Sequence, residues 1–166
     1  MDQIQQLEHS LKYAKTDIDK AIIHNNIGVL WEKLGNLHNS LEHHKKELAL
    51  SQKSTSQRML ACRFIAECYR KLRKFKKSLQ YNEKHFELAT KLNNKLEIQR
   101  SYCNKGNTHL DLSEVLLEKD KDEDFHRHIS LALDNFRLSL KASENLIQEM
   151  SNMSNIRGEE KEQILL

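Results

Sequence analysis

The sequence predicts an all-α solenoid in which antiparallel helix pairs stack in a row, and three observations carry that prediction. The 166 residues contain no proline and only four glycines, so helix is seldom interrupted. Aromatic residues make up 6% against 31% charged, too little apolar bulk for one thick core but enough for thin helix pairs that each bury a face against their neighbours. The third observation is a pattern that recurs after 38 residues, from Gly28 to Ala66.

Around Gly28 run Ile23, Ile27, Leu30, Trp31 and Leu34; around Ala66 run Ala61, Ile65, Cys68, Tyr69 and Leu72. The small residue lets two helices approach closely, and the aromatic three places on fills the adjoining gap. The second helix of each pair recurs too. Ser40, Leu41, Leu48 and Leu50 correspond to Ser78, Leu79, Phe86 and Leu88. Gly35-Asn36 reads as a left-handed helix end, and Ser54 with Gln57 as a capping box for the next helix.

A third unit follows Leu96, with Gly106 in the small-residue place and Lys105 where Ile27 and Ile65 stand. Its partner helix resumes only at Ala132, Leu133, Phe136 and Leu140. The expected organisation is one array over 1–166: a capping helix at 2–15 (Leu7, Leu11, Ala14), repeats at 16–53, 54–93 and 94–152, and the start of a truncated fourth repeat at 153–166. The third repeat carries an insertion at about 113–128, expected as a lengthened helix end followed by a mobile loop in the charged run EKDKDEDFHRH. The apolar Ile164, Leu165 and Leu166 fit a chain that stops just inside that fourth unit.

Helix pairs with this small–aromatic spacing resemble the tetratricopeptide superfamily, which implies a superhelix of antiparallel helix pairs, although the superfamily's usual proline is missing. The period resembles the longer repeats of Pins-type spindle adaptors and kinesin light chains. The stretch LEIQRSYCNKGNTHLDL, residues 96–112, is similar to the third repeat of Tonsoku-like proteins at Glu97, Gln99, Arg100, Gly106, Thr108, His109, Leu110 and Asp111. The preceding YNEKHFELATKL and the insertion fit the same family, while Lys105 and the basic turn near Phe75 depart from it. The resemblance implies a tetratricopeptide region of a larger nuclear protein of DNA replication, DNA repair and chromatin. Its implied partners are histone three tails, histone chaperones and the other subunits of a replication-repair complex.

In a stacked array the first helices line an inner groove. The candidate groove residues are Asn25, Val29, Glu32 and Lys33 in unit one, Arg63, Glu67, Arg70 and Lys71 in unit two, and Arg100, Cys103, Asn107, Leu110 and Asp111 in unit three. Asn25 and Asn107 suit an extended peptide backbone, because a carboxamide both donates and accepts. Glu67 and Asp111 suit the cations of a ligand.

The remaining chemistry points away from catalysis. No nucleophile–base pairing or phosphate loop stands out, so an enzyme and a cofactor are not expected. His43 and His44 are adjacent and His126 and His128 point apart, which does not favour a metal. The six cations of Arg70–Lys77 fall on an expected turn, so direct nucleic-acid binding is not expected, and nothing suggests a membrane partner. Three cysteines, Cys62, Cys68 and Cys103, suit a reducing compartment. The expected function is therefore a protein-binding scaffold in the nucleus that recognises a histone tail or histone chaperone. The alternative is a cytoplasmic Pins- or kinesin-light-chain-like adaptor for a motor or polarity peptide.

Overall fold

The computed structural model describes residues 3–119 and 121–164, with 153–164 described as backbone only. These residues form seven helices and no strand: α1 (Gln3–Leu11), α2 (Asp17–Lys33), α3 (Leu37–Leu50), α4 (Thr55–Lys71), α5 (Phe75–Lys91), α6 (Lys95–Leu117) and α7 (Asp122–Ile164). Each helix packs on the next, most intimately as the pairs α2/α3, α4/α5 and α6/α7. The helix-pair array read from the sequence is the fold.

The row is curved. The first helices touch one another, α2 against α4 and α4 against α6, whereas among the described residues the second helices α3, α5 and α7 do not. The side carrying α2, α4 and α6 is therefore the tighter, inner side.

Local chemistry sets the helix ends. Thr16 caps α2 through a capping box: its Oγ1 accepts from the Asp19 N–H at 3.1 Å while the Asp19 carboxylate accepts from the Thr16 N–H. At the other end Gly35 takes φ +78, and the Asn36 N–H bonds back to the Trp31 carbonyl at 2.9 Å, the left-handed end expected there. The same closure recurs with Arg73 (φ 54), where Lys74 reaches Tyr69, and with Asn93 (φ 49), where Asn94 reaches Ala89. Ser54 caps α4 as expected by accepting from Gln57 N–H, but only half the box forms. The Gln57 side chain goes instead to the buried Glu47 carboxylate at 2.6 Å, which has the stronger need for donors.

Packing confirms the small-residue register. A Cβ on Gly28 would stand 2.7 Å from the His44 ring, and one on Gly106 would stand 2.5 Å from the Phe136 ring. His44 and Phe136 are thus the contacts that require glycine. Lys105, in the place of Ile27 and Ile65, sets its ammonium over the Phe86 ring at 4.6 Å and bonds it to Glu83 at 2.6 Å. The central apolar cluster is Leu41, Ile65, Cys68 and Tyr69, with Leu48, Leu72 and Tyr81 against it. Between units this apolar contact is joined by polar ones: Ser40 meets Cys68 at 3.3 Å, and one repeat on Ser78 meets Thr108 at 3.1 Å.

The insertion differs from expectation. α6 is lengthened to Leu117 as anticipated, but the long loop is absent, because residues 122–128 already form the first turns of α7. Asp122, Glu123 and Asp124 fall in that first turn, where carboxylates oppose the helix's positive end and favour helix over coil. The backbone of α7 then continues unbroken to Ile164, through the segment assigned to a fourth repeat; the apolar terminus Leu165 and Leu166 and the side chain of Ile164 lie outside the described residues.

Candidate peptide-binding groove

The inner side holds a cleft of about 210 Å³ lined by Glu32, Arg63, Phe64, Glu67, Arg70, Asn104 and Asn107. Five of these are residues expected from the sequence, drawn from α2, α4 and α6. Phe64 and Asn104 were missed, because each lies one helical position outside the stripe taken as inward-facing. Two side chains lie against Phe64: the His44 ring stacks on it at 4.7 Å and the Arg63 guanidinium lies over it at 4.6 Å.

The charges of this surface bind one another in a chain across the three helices. Lys71 bonds Glu32 at 2.6 Å and approaches Glu67 at 3.6 Å; Arg70 holds Glu67 at 2.6 Å and Asp111 at 2.6 Å. Burial pushes the Glu67 carboxyl up, but the hydrogen bonds from Arg70 and the charge of Lys71 outweigh it and hold Glu67 below the usual carboxylate range. The hydrogen bond to Glu32 raises Lys71. Any ligand cation must therefore compete with Arg70 or Lys71 for these carboxylates.

Other candidates are placed differently. Asn25 turns from the groove to α3, donating to both oxygens of Glu47 at 3.1 and 3.0 Å. Glu47 also accepts from His44 at 3.0 Å, so Asn25 serves a buried polar knot rather than a free surface. Val29 faces the N-terminal helix and lines a separate cavity of about 510 Å³ with Gln3, Gln6, Leu7, Ser10, Asn26, Leu30 and Lys33. Arg100 holds Glu97 at 2.5 Å, and Arg63 approaches the same carboxylate at 3.5 Å. Asn107 Nδ2 lies 3.8 Å from the Cys103 sulfur, and Leu110 is exposed at the groove's edge.

Two histidine pairs escaped the sequence reading, which compared neighbours along the chain instead of across helices. His24 meets His43 with Nδ1 atoms 3.1 Å apart, and His109 meets His128 at 2.9 Å. Burial, then the facing imidazole, lowers the His24 pKa and lowers that of His109 to about 4. Among the described residues no three His, Cys, Asp or Glu side chains converge as metal ligands, and no helix is long and apolar enough to cross a membrane. A scan against protein-family profiles finds no match for the chain.

Proposed function

We propose that this chain is a non-catalytic protein-binding scaffold of the tetratricopeptide type whose inner groove takes an extended peptide carrying lysine or arginine. The observation behind the reading is the three-helix cleft with its alternating charges. Glu32 and Glu67 offer acceptors in the cleft and Asp111 one more beside Arg70, while the carboxamides of Asn104 and Asn107 line the same cleft from α6 and suit a peptide backbone. The resemblance of residues 96–112 to Tonsoku-like proteins makes the histone three tail, free or on a histone chaperone, the leading ligand, in the nucleus and within a replication-repair assembly. The paired arginines refine the ligand: Arg63 and Arg70 disfavour an unbroken run of cations and favour cations separated by neutral residues.

The test is titration of labelled histone tail peptides into wild type and into Glu67→Ala, Asp111→Ala and Asn107→Ala, with circular dichroism confirming the fold. A charge-assisted contact is worth roughly 1.5–3 kcal/mol, so Glu67→Ala should weaken binding about tenfold or more. Arg70→Gln, which releases both Glu67 and Asp111, should tighten it. Tight wild-type binding that ignores all four changes removes the groove from the reading. Binding of a motor or polarity peptide in place of any histone tail moves the function to the cytoplasmic adaptor.

A further inference from the structure

Two polar links recur where one helix pair meets the next. The first lies four places after the small residue of each first helix. Lys71 of the second unit donates to Glu32 at 2.6 Å, and Arg70 donates to Asp111 of the third at 2.6 Å. The second joins each second helix to the helix that follows it. Gln57 donates to Glu47 at 2.6 Å, and His85 bonds Glu97 at 2.9 Å. Beside these links the contact is apolar. Leu48 packs on the cluster of Ile65, Cys68 and Tyr69, and its counterpart Phe86 meets the Tyr102 ring at 5.3 Å. Each covering helix sits against two others: α4 touches α2 and α3, and α6 touches α4 and α5.

The far edge of the third pair keeps the register and changes both polar places. Leu110 stands where Glu32 and Arg70 stand in the earlier units, and it is exposed. Ser139 stands in the place of Glu47 and His85. It is buried and already accepts from Gln99 of its own pair at 2.9 Å, so it requires no group from a further helix. Leu140 is the counterpart of Leu48 and Phe86 but is exposed, as are Leu133 seven places before it and Ile147 seven places after. Residues seven apart fall on one line of a helix, and this line runs about 21 Å along α7.

We propose that this edge binds a single amphipathic helix of a partner protein, seated against α6 and α7 as α4 is seated against α2 and α3. The internal junctions define the occupant, because the same register positions are covered there by a helix each time. Its apolar stripe spans about four turns and meets Leu133, Leu140 and Ile147. It is apolar also opposite Leu110, where α4 carries Lys71 and α6 carries Asp111, and it brings no buried polar group to Ser139. The occupant is thus drier than either internal covering helix. The exposed Arg137 and Glu144 flank the line, and a carboxylate and an ammonium on the occupant complement them. A second copy of the chain fits less well: an identical edge presents two helices, whereas each internal junction accepts one. The line on α7 does not involve Glu67, so it is independent of the peptide proposed for the inner groove.

The experiment is anisotropy of a fluorescent peptide of about 18 residues, long enough to hold a helix, built on alanine, glutamate and lysine with leucines along one face. A second peptide has the same residues shuffled so that no apolar face forms. The first should bind saturably and the second should not. The double variant Leu133→Lys, Leu140→Lys should lose at least about tenfold in affinity, because two buried leucines leave the contact. Leu110→Lys should weaken binding as well, which separates seating on both helices from adhesion to α7 alone. Leu138→Lys is the control, since that exposed leucine lies about 160° around α7 from Leu140, and it should bind as wild type does. Glu67→Ala should bind the peptide unchanged, which keeps this site distinct from the inner groove. Circular dichroism checks that every variant is folded, and sedimentation of the chain alone reports self-association. Equal binding of the two peptides, equal binding by the double variant, a loss on Leu138→Lys as large as on the double variant, or a dimer that Leu140→Lys dissolves overturns the proposal.

Discussion

The His85 imidazole donates to the Glu97 carboxylate at 2.9 Å, across the junction between the second and third helix pairs. One junction earlier the same places hold Glu47 and Gln57, with Gln57 donating to Glu47 at 2.6 Å. Acceptor and donor have changed sides while the bond has stayed. Each junction therefore seats one buried carboxylate, and that carboxylate collects its neighbours: Arg63 and Arg100 at Glu97, Asn25 and His44 at Glu47.

Burial raises the Glu97 pKa, but the His85 hydrogen bond, the charge of Arg63 and the Arg100 hydrogen bond bring it down to about 2, from an ordinary 4.5. A depressed carboxyl adds stability above its unfolded value, and that stability drains as pH falls from 4.5 towards 2. Glu97→Gln should cost about 2–3 kcal/mol at neutral pH and flatten the acid limb in that window. Urea melts at pH 7, 4 and 2.5 check it; equal loss of stability by wild type and variant on acidification would refute the assignment.

Much of this was legible in the sequence and some was not. Gly28, Ala66 and Gly106 showed the register because a small residue amid aliphatics leaves a mark that periodicity detects. The groove residues Glu32, Glu67, Arg70 and Asp111 were legible as a face, because helical phase fixes which side chains share one. Their mutual pairing was not, since Arg70 and Asp111 are 41 residues apart and only the stacking distance of α4 and α6 decides whether they meet. Asn25 shows the same limit: its phase points inward, yet a buried carboxylate on α3 captures it. The charged run 118–128 misled because composition suggested a loop, while the placement of three acids at a helix start favours helix.

The His109–His128 pair gives a second, separate pH window. A shared hydrogen bond between two imidazoles needs one ring neutral to accept, so both cannot be protonated at once, and burial followed by the His128 and Lys105 charges lowers His109 to about 4. The unfolded chain takes up that proton near 6.5, so the folded state loses ground as pH falls from 6.5 towards 4. His109→Gln should remove that loss. NMR titration should place the His109 ring near 4; an ordinary midpoint near 6.5 would show that the pair does not form in solution.

Arg73 sits at φ 54, in the place where the first unit has Gly35 at φ +78. A side chain there costs roughly 1–2 kcal/mol of steric strain, and the Glu118 contact at 3.7 Å is too exposed to offset it. Arg73→Gly should raise stability by about 0.5–1 kcal/mol after the flexibility it adds to the unfolded chain. Chemical denaturation checks the sign. A loss of stability would mean that the left-handed turn is not retained.

Gly28→Ala should destabilise even though it adds only one methyl group. The new Cβ would stand 2.7 Å from a His44 ring that is fully buried, bonded to Glu47 and stacked on Phe64, so the ring has nowhere to move. A cost of roughly 1–3 kcal/mol is expected. Gly35→Ala is the control for backbone strain without a clash, since nothing lies within 4 Å of its added Cβ. Equal melting temperatures for wild type and Gly28→Ala would break the register on which the helix pairing rests.

The last prediction uses the repeat to compare four leucines. Gly28 meets His44 and Gly106 meets Phe136, so His44 and Phe136 are equivalent, and three places earlier Leu41 matches Leu133. Seven places after that pair, Leu48 matches Leu140. Leu41 is 8% exposed beneath α4, and Leu48 packs on the same cluster, but Leu133 is 50% and Leu140 61% exposed on α7. The same side chain at the same register is thus core in one unit and surface in another, and only the presence of a covering helix differs. Leu41→Ala should cost about 2–4 kcal/mol through lost burial and the cavity left behind. That corresponds to a fall of roughly 5–15 °C in Tm for a chain of this size. Leu133→Ala and Leu140→Ala should each stay within about 0.5 kcal/mol of wild type. Thermal melts of the three variants at several protein concentrations decide it. A large, concentration-dependent loss for Leu140→Ala would show that the α7 face is covered in solution by a second copy of the chain. A small loss for Leu41→Ala would place the core elsewhere than between α3 and α4.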